Sequence, residues 1–224
     1  MRGRLIVLEG SDSSGKATQT NRLYERLISD KLQVKKIEYP NYNSNSSALV
    51  KMYLNGEFGT DPSDVNPYAA STFYAVDRFA SFKTEWKDFY EAGGIVIADR
   101  YTTANMVHQA AKISDHCEKN SFLDWLWDLE FEKMGLPVPN CVIFLDMPPA
   151  YSEQLMKERN NKITGQEEKD IHEKNKEYLV SSYSNSKFIA DKYNWCTISC
   201  VKDGLVKTIE EISEEIYNKV SDIL

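Results

Sequence analysis

The stretch Leu5–Thr20 reads LIVLEGSDSSGKATQT and joins a short apolar run to a glycine-rich turn. The four apolar residues Leu5–Leu8 predict a buried strand, and apolar positions spaced as on one helical face follow the turn. Gly10, Gly15 and Lys16 have the spacing of a phosphate-binding loop, which is Gly, four residues, Gly-Lys, then Ser or Thr. Because this loop joins a strand to a helix in parallel α/β sheets, the stretch decides the fold class.

The predicted loop has the means to hold a nucleoside triphosphate. Its backbone N–H groups and the N-terminus of the following helix attract phosphate oxygens, and Lys16, which we expect to be exposed, adds a positive charge. A surface turn is the alternative, but the strand before the loop and the helix after it favour phosphate binding. The residues of this loop that we predict to bind the triphosphate are Gly10, Ser11, Asp12, Ser13, Ser14, Gly15, Lys16, Ala17 and Thr18.

Ala17 stands where the loop pattern has a hydroxyl for Mg²⁺. The hydroxyl of Thr18 is rotated by about 100° around the helix, so it is not a simple substitute. Acidic groups must therefore do more of the metal binding, and we predict that Asp12 and Asp99 hold Mg²⁺ through its water shell. Asp99 could instead cap the next helix.

Apolar runs alternate with helical patterns along the whole chain. The runs are Leu5–Leu8, Val34–Tyr39, Ile95–Ala98, Cys141–Leu145 and Trp195–Cys200, and a long helix is predicted over Pro67–Tyr90. Such alternation is typical of an α/β fold, here a doubly wound five-stranded parallel sheet. We predict one domain over residues 1–224. The polar segment at about 157–172 is predicted to be a mobile lid.

The composition excludes several function classes. The chain has 224 residues, of which 42% are hydrophobic, and a net charge of −7, which argues against nucleic-acid binding. No apolar run approaches the roughly 20 residues of a membrane span, and no signal peptide is recognised. The four cysteines form no metal-binding pattern and indicate free thiols in a reducing compartment, so we predict a cytoplasmic protein without membrane partners.

A second anion site is indicated by arginines beside aromatic and polar residues. Arg100 follows Asp99 at the end of a strand, where sheets of this type bind ligands. Tyr74 and Arg78 share a helical face, which would let the ring stack on a base while the guanidinium takes a phosphate. Core packing of Tyr74 and a solvated Arg78 are the alternatives. Asn105, His108 and Gln109 form another polar face, although a structural role is the more common one for a histidine such as His108 taken alone.

The chain resembles bacterial thymidylate kinases over nearly all of its length. The resemblance rests on EGSDSSGKATQ, YAVDR, ADRYTTAN, FLDMPP and a lid-like segment ending DIHE. It implies a P-loop nucleoside monophosphate kinase fold, a homodimer, and phosphorylation of dTMP to dTDP with MgATP for dTTP synthesis. The substrates implied are the small molecules dTMP and ATP, with Mg²⁺ as cofactor.

The resemblance also implies roles for individual residues. Asp12 is associated with the metal and the sugar, Tyr74 stacks on the base, and Asn105 and His108 contact the base and the deoxyribose. The implied dTMP-binding residues are Asp12, Tyr39, Tyr74, Arg78, Arg100, Asn105 and His108. The implied catalytic residues are Lys16, Asp12, Arg100 and Arg159.

This sequence departs from the family pattern at several positions. Ala104 stands where a serine is common, which removes a polar contact to the base. Ser13 replaces the loop arginine of some members, so the lid residue Arg159 has to meet the charge of the transferred phosphoryl group. Two other functions stay open from the residues. A deoxynucleoside kinase would use Glu38 as a base, and a non-catalytic nucleotide-binding regulator would explain Ala17 and the few basic lid residues.

Overall fold

Five parallel strands form the central sheet of the protein in a computed structural model. The model describes residues 2–11, 14–162 and 176–224, leaving out the side chains of 156–162 and 176–177. The strands are β1 (Arg4–Gly10), β2 (Val34–Glu38), β3 (Ile95–Asp99), β4 (Cys141–Asp146) and β5 (Cys196–Ser199). Their order across the sheet is β2-β3-β1-β4-β5, and every pairing is parallel. The predicted doubly wound five-stranded parallel sheet is confirmed.

Helices cover both faces of this sheet. They are α1 (Lys16–Ser29), α2 (Ala48–Leu54), α3 (Pro67–Ser81), α4 (Lys87–Glu91), α5 (Thr102–His108), α6 (His116–Trp127), α7 (Pro149–Lys162), α8 (Lys176–Lys192) and α9 (Ile209–Ser221). Side chains alternate along β1, so Leu5 and Val7 pack into one apolar core while Ile6 and Leu8 pack into the other. All four are fully buried, which explains the unbroken apolar run of the sequence.

Three local features differ from the sequence-based expectation. The helix predicted over 67–90 is divided, because the π-helical turn Phe82–Trp86 separates α3 from α4. A second π-helical stretch, Asp128–Lys133, follows α6. The hairpin of β6 (Val201–Lys202) and β7 (Leu205–Val206) was not predicted, since each strand has only two residues. No helix in the described ranges is long and apolar enough to cross a bilayer.

The strand register brings acidic and basic residues to one edge of the sheet. Leu8 of β1 and Glu38 of β2 both pair with Asp99 of β3, so β2 and β3 end at one level and β1 continues two residues further to Gly10. The loop after β1 leads into α1, and the chain after β3 passes through Arg100 into α5. Ligands of open α/β sheets bind outside this carboxyl edge, and the candidate site is found there.

Candidate active site

The side chain of Lys16 packs against backbone carbonyl groups of the loop that follows β1. Lys16 Nζ donates hydrogen bonds to the carbonyl oxygens of Gly10 at 2.7 Å and Ser11 at 2.9 Å. The side chain is 8% exposed, so the expectation of an exposed lysine is wrong. The physical reason is that two carbonyl groups of the loop fold over the ammonium group and shield it.

Glycine is required at two positions of this loop. A Cβ atom on Gly10 would lie 2.8 Å from Ser14 Oγ and 3.0 Å from the Leu145 carbonyl oxygen of β4. Gly15 has φ +86° immediately before α1, a left-handed conformation that favours glycine. Both glycines therefore permit the tight turn that the sequence pattern predicts.

A cleft of about 570 Å³ opens at the carboxyl edge of the sheet. It is lined by Gly15, Lys16, Ala17, Thr18, Glu38, Tyr39, Pro40, Tyr42, Asp99, Arg100 and Leu155. The fold thus brings residues of the predicted triphosphate loop together with two residues from the end of β3. Of the other predicted site residues, Asp12, Ser13 and the side chain of Arg159 lie outside the described residues, as does most of the predicted lid.

Arg100 enters this cleft from a strained backbone position. Its φ is +64°, a region that side-chain-bearing residues rarely occupy and that is enriched at functional sites. Nη1 donates to His108 Nε2 at 2.8 Å and lies 3.4 Å from Glu9 Oε1. A guanidinium group has only donors, so His108 accepts through a neutral Nε2. The imidazole also stacks on Tyr178 with centroids 6.2 Å apart.

Glu9 is a site residue that the sequence analysis missed. It is fully buried at the end of β1, where it accepts hydrogen bonds from the Gly10 N–H at 3.0 Å and from Thr103 Oγ1 at 2.8 Å. A buried carboxylate needs such partners and a nearby positive charge, which Arg100 supplies. An acidic residue directly after a buried apolar strand was the signal in the sequence, because buried glutamates are rare unless paired.

Arg78 does not line the cleft. Its side chain is 1% exposed, so the alternative of a solvated charge is wrong. Nε and Nη2 donate to the two carboxylate oxygens of Glu130 at 2.7 and 2.6 Å. Thr102 Oγ1 donates to the same carboxylate at 2.7 Å. This buried bidentate pair ties α3 to the π-helical stretch Asp128–Lys133, and Thr102 links that stretch to the start of α5. Contact of Arg78 with an acceptor phosphate stays a prediction.

Tyr39 is the predicted dTMP-binding residue that follows β2. The residue borders the cleft, but its ring packs in the core and Trp86 Nε1 donates to its hydroxyl at 3.1 Å. Burial raises the pKa of the Tyr39 phenol to about 12, so the group stays neutral. The Tyr39 hydroxyl is therefore held by the protein interior, and contact of Tyr39 with dTMP stays a prediction.

The remaining predicted nucleotide contacts lie between α3 and α5. Asn105 is 2% exposed, and its Nδ2 donates to the Ser71 carbonyl oxygen of α3 at 3.2 Å. Tyr74, one turn along α3 from Ser71, is half-buried and meets Tyr53 edge-on with centroids 6.4 Å apart. These two helices provide a ring face and amide groups, the chemistry that binds a base.

Asp99 fits a role in holding Mg²⁺. The residue is half-buried and lines the same cleft as Lys16 and Thr18. Among the described residues there is no group of three or more His, Cys, Asp or Glu side chains arranged to hold a metal ion. Mg²⁺ needs only one or two carboxylates when phosphate oxygens and water complete its shell, so this donor set suits a nucleotide-bound ion.

The site combines a buried strand, a phosphate loop and a helix with a second basic group on the same cleft. This combination defines a P-loop nucleotide-binding domain. The thymidylate kinase family model matches residues 8–203, and the chain belongs to this family. Thymidylate kinases of Schizosaccharomyces pombe and Plasmodium falciparum are 29% and 26% identical. Their alignments cover 83% and 99% of this chain, and 86% and 91% of the relatives.

A bacterial relative and a solved structure belong to the same family. The Mycobacterium tuberculosis thymidylate kinase is 30% identical over 70% of each chain. The structure of thymidylate kinase from Candida albicans superposes with a TM-score of 0.69 and 22% identity, covering 99% of this chain and 92% of that one, which supports the fold. Because fungal, protozoan and bacterial proteins all match, the family is confirmed and the bacterial subgroup stays a prediction.

Proposed function

We propose that the protein transfers the γ-phosphoryl group of ATP to dTMP, forming ADP and dTDP for dTTP synthesis. The observation that carries the proposal is that one cleft holds both Lys16 of the triphosphate loop and Arg100 from the end of β3. A kinase needs these two cationic groups facing each other, one for the donor and one for the acceptor phosphate. Family membership and the names of the relatives support dTMP as the acceptor.

The donor side is built by the loop that follows β1. Lys16 exchanges its contacts with the Gly10 and Ser11 carbonyl groups for the β- and γ-phosphates when ATP binds. The N–H groups at the start of α1 hold further phosphate oxygens. The buried position of Lys16 keeps its charge in a medium of low polarity, where it acts more strongly than in water.

The acceptor side is built by Arg100 and by α3 and α5. Arg100 holds the dTMP phosphate, with Glu9 and His108 fixing the guanidinium group from behind. Tyr74 stacks on the base and Asn105 contacts its edge. The acceptor oxygen is already anionic, so no side chain has to act as a base.

Mg²⁺ would be held by Asp99 and by Asp12, with water between metal and carboxylates. When bound, it would neutralise part of the charge of the phosphate groups. Asp99 contributes a carboxylate at a fixed level of the sheet because its carbonyl oxygen accepts from the Tyr39 N–H at 3.0 Å.

Several broader features belong to the same proposal. Arg159 and the segment at about 157–172 close over the transferred group as a lid. The enzyme forms a homodimer, for which the exposed apolar residues Val76 and Phe79 on α3 offer a surface. It works in the cytoplasm and is of the bacterial type, in keeping with the cysteine usage and the sequence motifs.

A coupled assay of ADP release tests the proposal. Purified protein with MgATP receives dTMP, thymidine or no acceptor. Release that depends on dTMP supports the proposal, whereas release with thymidine indicates a nucleoside kinase that uses Glu38, which lines the cleft. Binding of ATP without ADP release in any arm indicates a non-catalytic regulator.

A further inference from the structure

Ser71 on α3 carries a buried hydroxyl group without a hydrogen-bond partner among the described residues. The residue is 0% exposed, and its Oγ reaches no acceptor or donor of the described chain. The next residue shows the usual alternative, since Thr72 Oγ1 donates to the Ala69 carbonyl oxygen at 2.7 Å within the helix. Buried hydroxyl groups are nearly always hydrogen-bonded, so Ser71 Oγ calls for a partner that the described residues do not supply.

The position of Ser71 connects this hydroxyl to the acceptor site. Ser71, Tyr74 and Arg78 recur at spacings of three and four residues, which places them on one face of α3. Arg78 Nη1 lies 3.4 Å from the Tyr101 carbonyl oxygen before α5, and the Ser71 carbonyl accepts from Asn105 one turn further along α5. The two helices therefore run past each other in opposite directions, with Tyr74 between these two contacts.

A second unpartnered polar atom lies on the facing helix. Gln109 is 1% exposed, and its Oε1 has no hydrogen-bond partner among the described residues. It follows Asn105 by four residues and so shares its helical face. The two facing helices thus carry a hydroxyl that can donate and an amide oxygen that can accept, which are the types of group that pair with the C=O and N–H groups of a pyrimidine such as thymine.

We infer that Ser71 is a base-binding residue: its Oγ–H donates to a carbonyl oxygen of the pyrimidine that stacks on Tyr74. The inference rests on the proposed function, because it takes a pyrimidine monophosphate as the acceptor.

The test is Ser71→Ala, with Thr72→Val as the matched control. Loss of one neutral hydrogen bond should raise the KM for dTMP about three- to tenfold. The kcat and the KM for ATP should stay within about twofold of the unmodified protein, because the contact is remote from the phosphates. The melting temperature without ligand should not fall, since the removed hydroxyl has no hydrogen-bond partner among the residues that the structure describes. Thr72→Val removes a hydroxyl that is satisfied within α3 and should leave the KM for dTMP unchanged.

Two measurements distinguish a failure of this inference from a failure of the proposed dTMP kinase activity. If the unmodified protein releases no ADP with dTMP, the proposed function fails. If it does turn over dTMP and Ser71→Ala leaves the KM for dTMP within twofold, the inference is overturned. A lowered melting temperature together with that unchanged KM would make Ser71 a packing residue of α3.

Discussion

Two arginine–glutamate pairs flank the start of α5 and differ in how they are held. Arg78 and Glu130 are 1% and 0% exposed and meet through two hydrogen bonds of 2.6 and 2.7 Å. Arg100 is 19% exposed and lies 3.4 Å from the fully buried Glu9. The first guanidinium group is turned into the protein, whereas the second faces the cleft.

The difference indicates that two similar arginine–glutamate pairs have different roles, one in stability and one in the candidate active site. A bidentate buried pair already uses the planar fork of arginine, so Arg78 joins α3 to the π-helical stretch after α6. Arg100 has a longer contact to its glutamate and a strained backbone, which together direct donors into the cleft. We therefore expect variants of the first pair to act on stability and variants of the second pair to act on catalysis.

The largest effect is expected from Arg78→Met. Removal of one partner leaves the Glu130 carboxylate buried without its counter-charge, which should lower the free energy of unfolding by about 3–5 kcal/mol. Urea denaturation measures this loss. The double variant Arg78→Met/Glu130→Leu should recover most of the stability, because no buried charge then remains. Unchanged stability with a raised KM for dTMP would instead assign Arg78 to the acceptor phosphate.

Arg100→Met should show the opposite profile. The value of kcat/KM for dTMP is expected to fall about 100-fold, or roughly 2.7 kcal/mol, since a cation that stabilises the phosphate charge is lost. The melting temperature should change by only a few degrees, because the side chain faces solvent on one side. Steady-state kinetics and a melting curve on the same preparation check both points. A stable, fully active variant would remove Arg100 from the mechanism.

Glu9→Gln probes the support behind Arg100. The amide is nearly isosteric and can keep the contacts with the Gly10 N–H and the Thr103 hydroxyl, but it loses the negative charge beside the guanidinium. We expect kcat/KM for dTMP to fall about tenfold, or roughly 1.4 kcal/mol. The KM for ATP serves as the internal control and should move less. An equal loss for both substrates would place Glu9 in the shape of the triphosphate loop rather than behind Arg100.

The sequence predicted the sheet and the phosphate loop because both depend on local patterns. Buried parallel strands leave apolar runs, and the loop has fixed glycine spacing, as Leu5–Lys16 illustrates. The partners of Arg78 and Arg100 could not be predicted in this way. Glu130 is 52 residues from Arg78, and Glu9 is 91 residues from Arg100, so only the folded chain shows these pairs.

The burial of charged residues was the other feature that the sequence pattern could not predict. Arg78 follows Asp77 on α3, and helical spacing alone suggests a solvated charge there. Its burial depends on a carboxylate from the π-helical stretch Asp128–Lys133, and no periodicity in the sequence indicates a π-helix. Lys16 was likewise expected to be exposed, since the contacts of its side chain with loop carbonyl groups depend on the three-dimensional turn.

The smallest effects are predicted for two adjacent threonines, each of which donates a hydrogen bond to the glutamate of one pair. Thr102 Oγ1 donates to Glu130 at 2.7 Å and Thr103 Oγ1 donates to Glu9 at 2.8 Å, and both residues are buried at the start of α5. Replacement by valine keeps the shape and removes one hydrogen bond, which is worth about 1 kcal/mol in each case.

Thr102→Val should therefore lower the free energy of unfolding by about that amount and leave the KM for dTMP unchanged. Thr103→Val should raise the KM for dTMP by about two- to fivefold, because a less restrained Glu9 holds Arg100 less firmly. Each variant is the control for the other, since they differ by one position on the same helical turn. If both variants changed stability alone, Glu9 would be as structural as Glu130 and the contrast between the pairs would disappear.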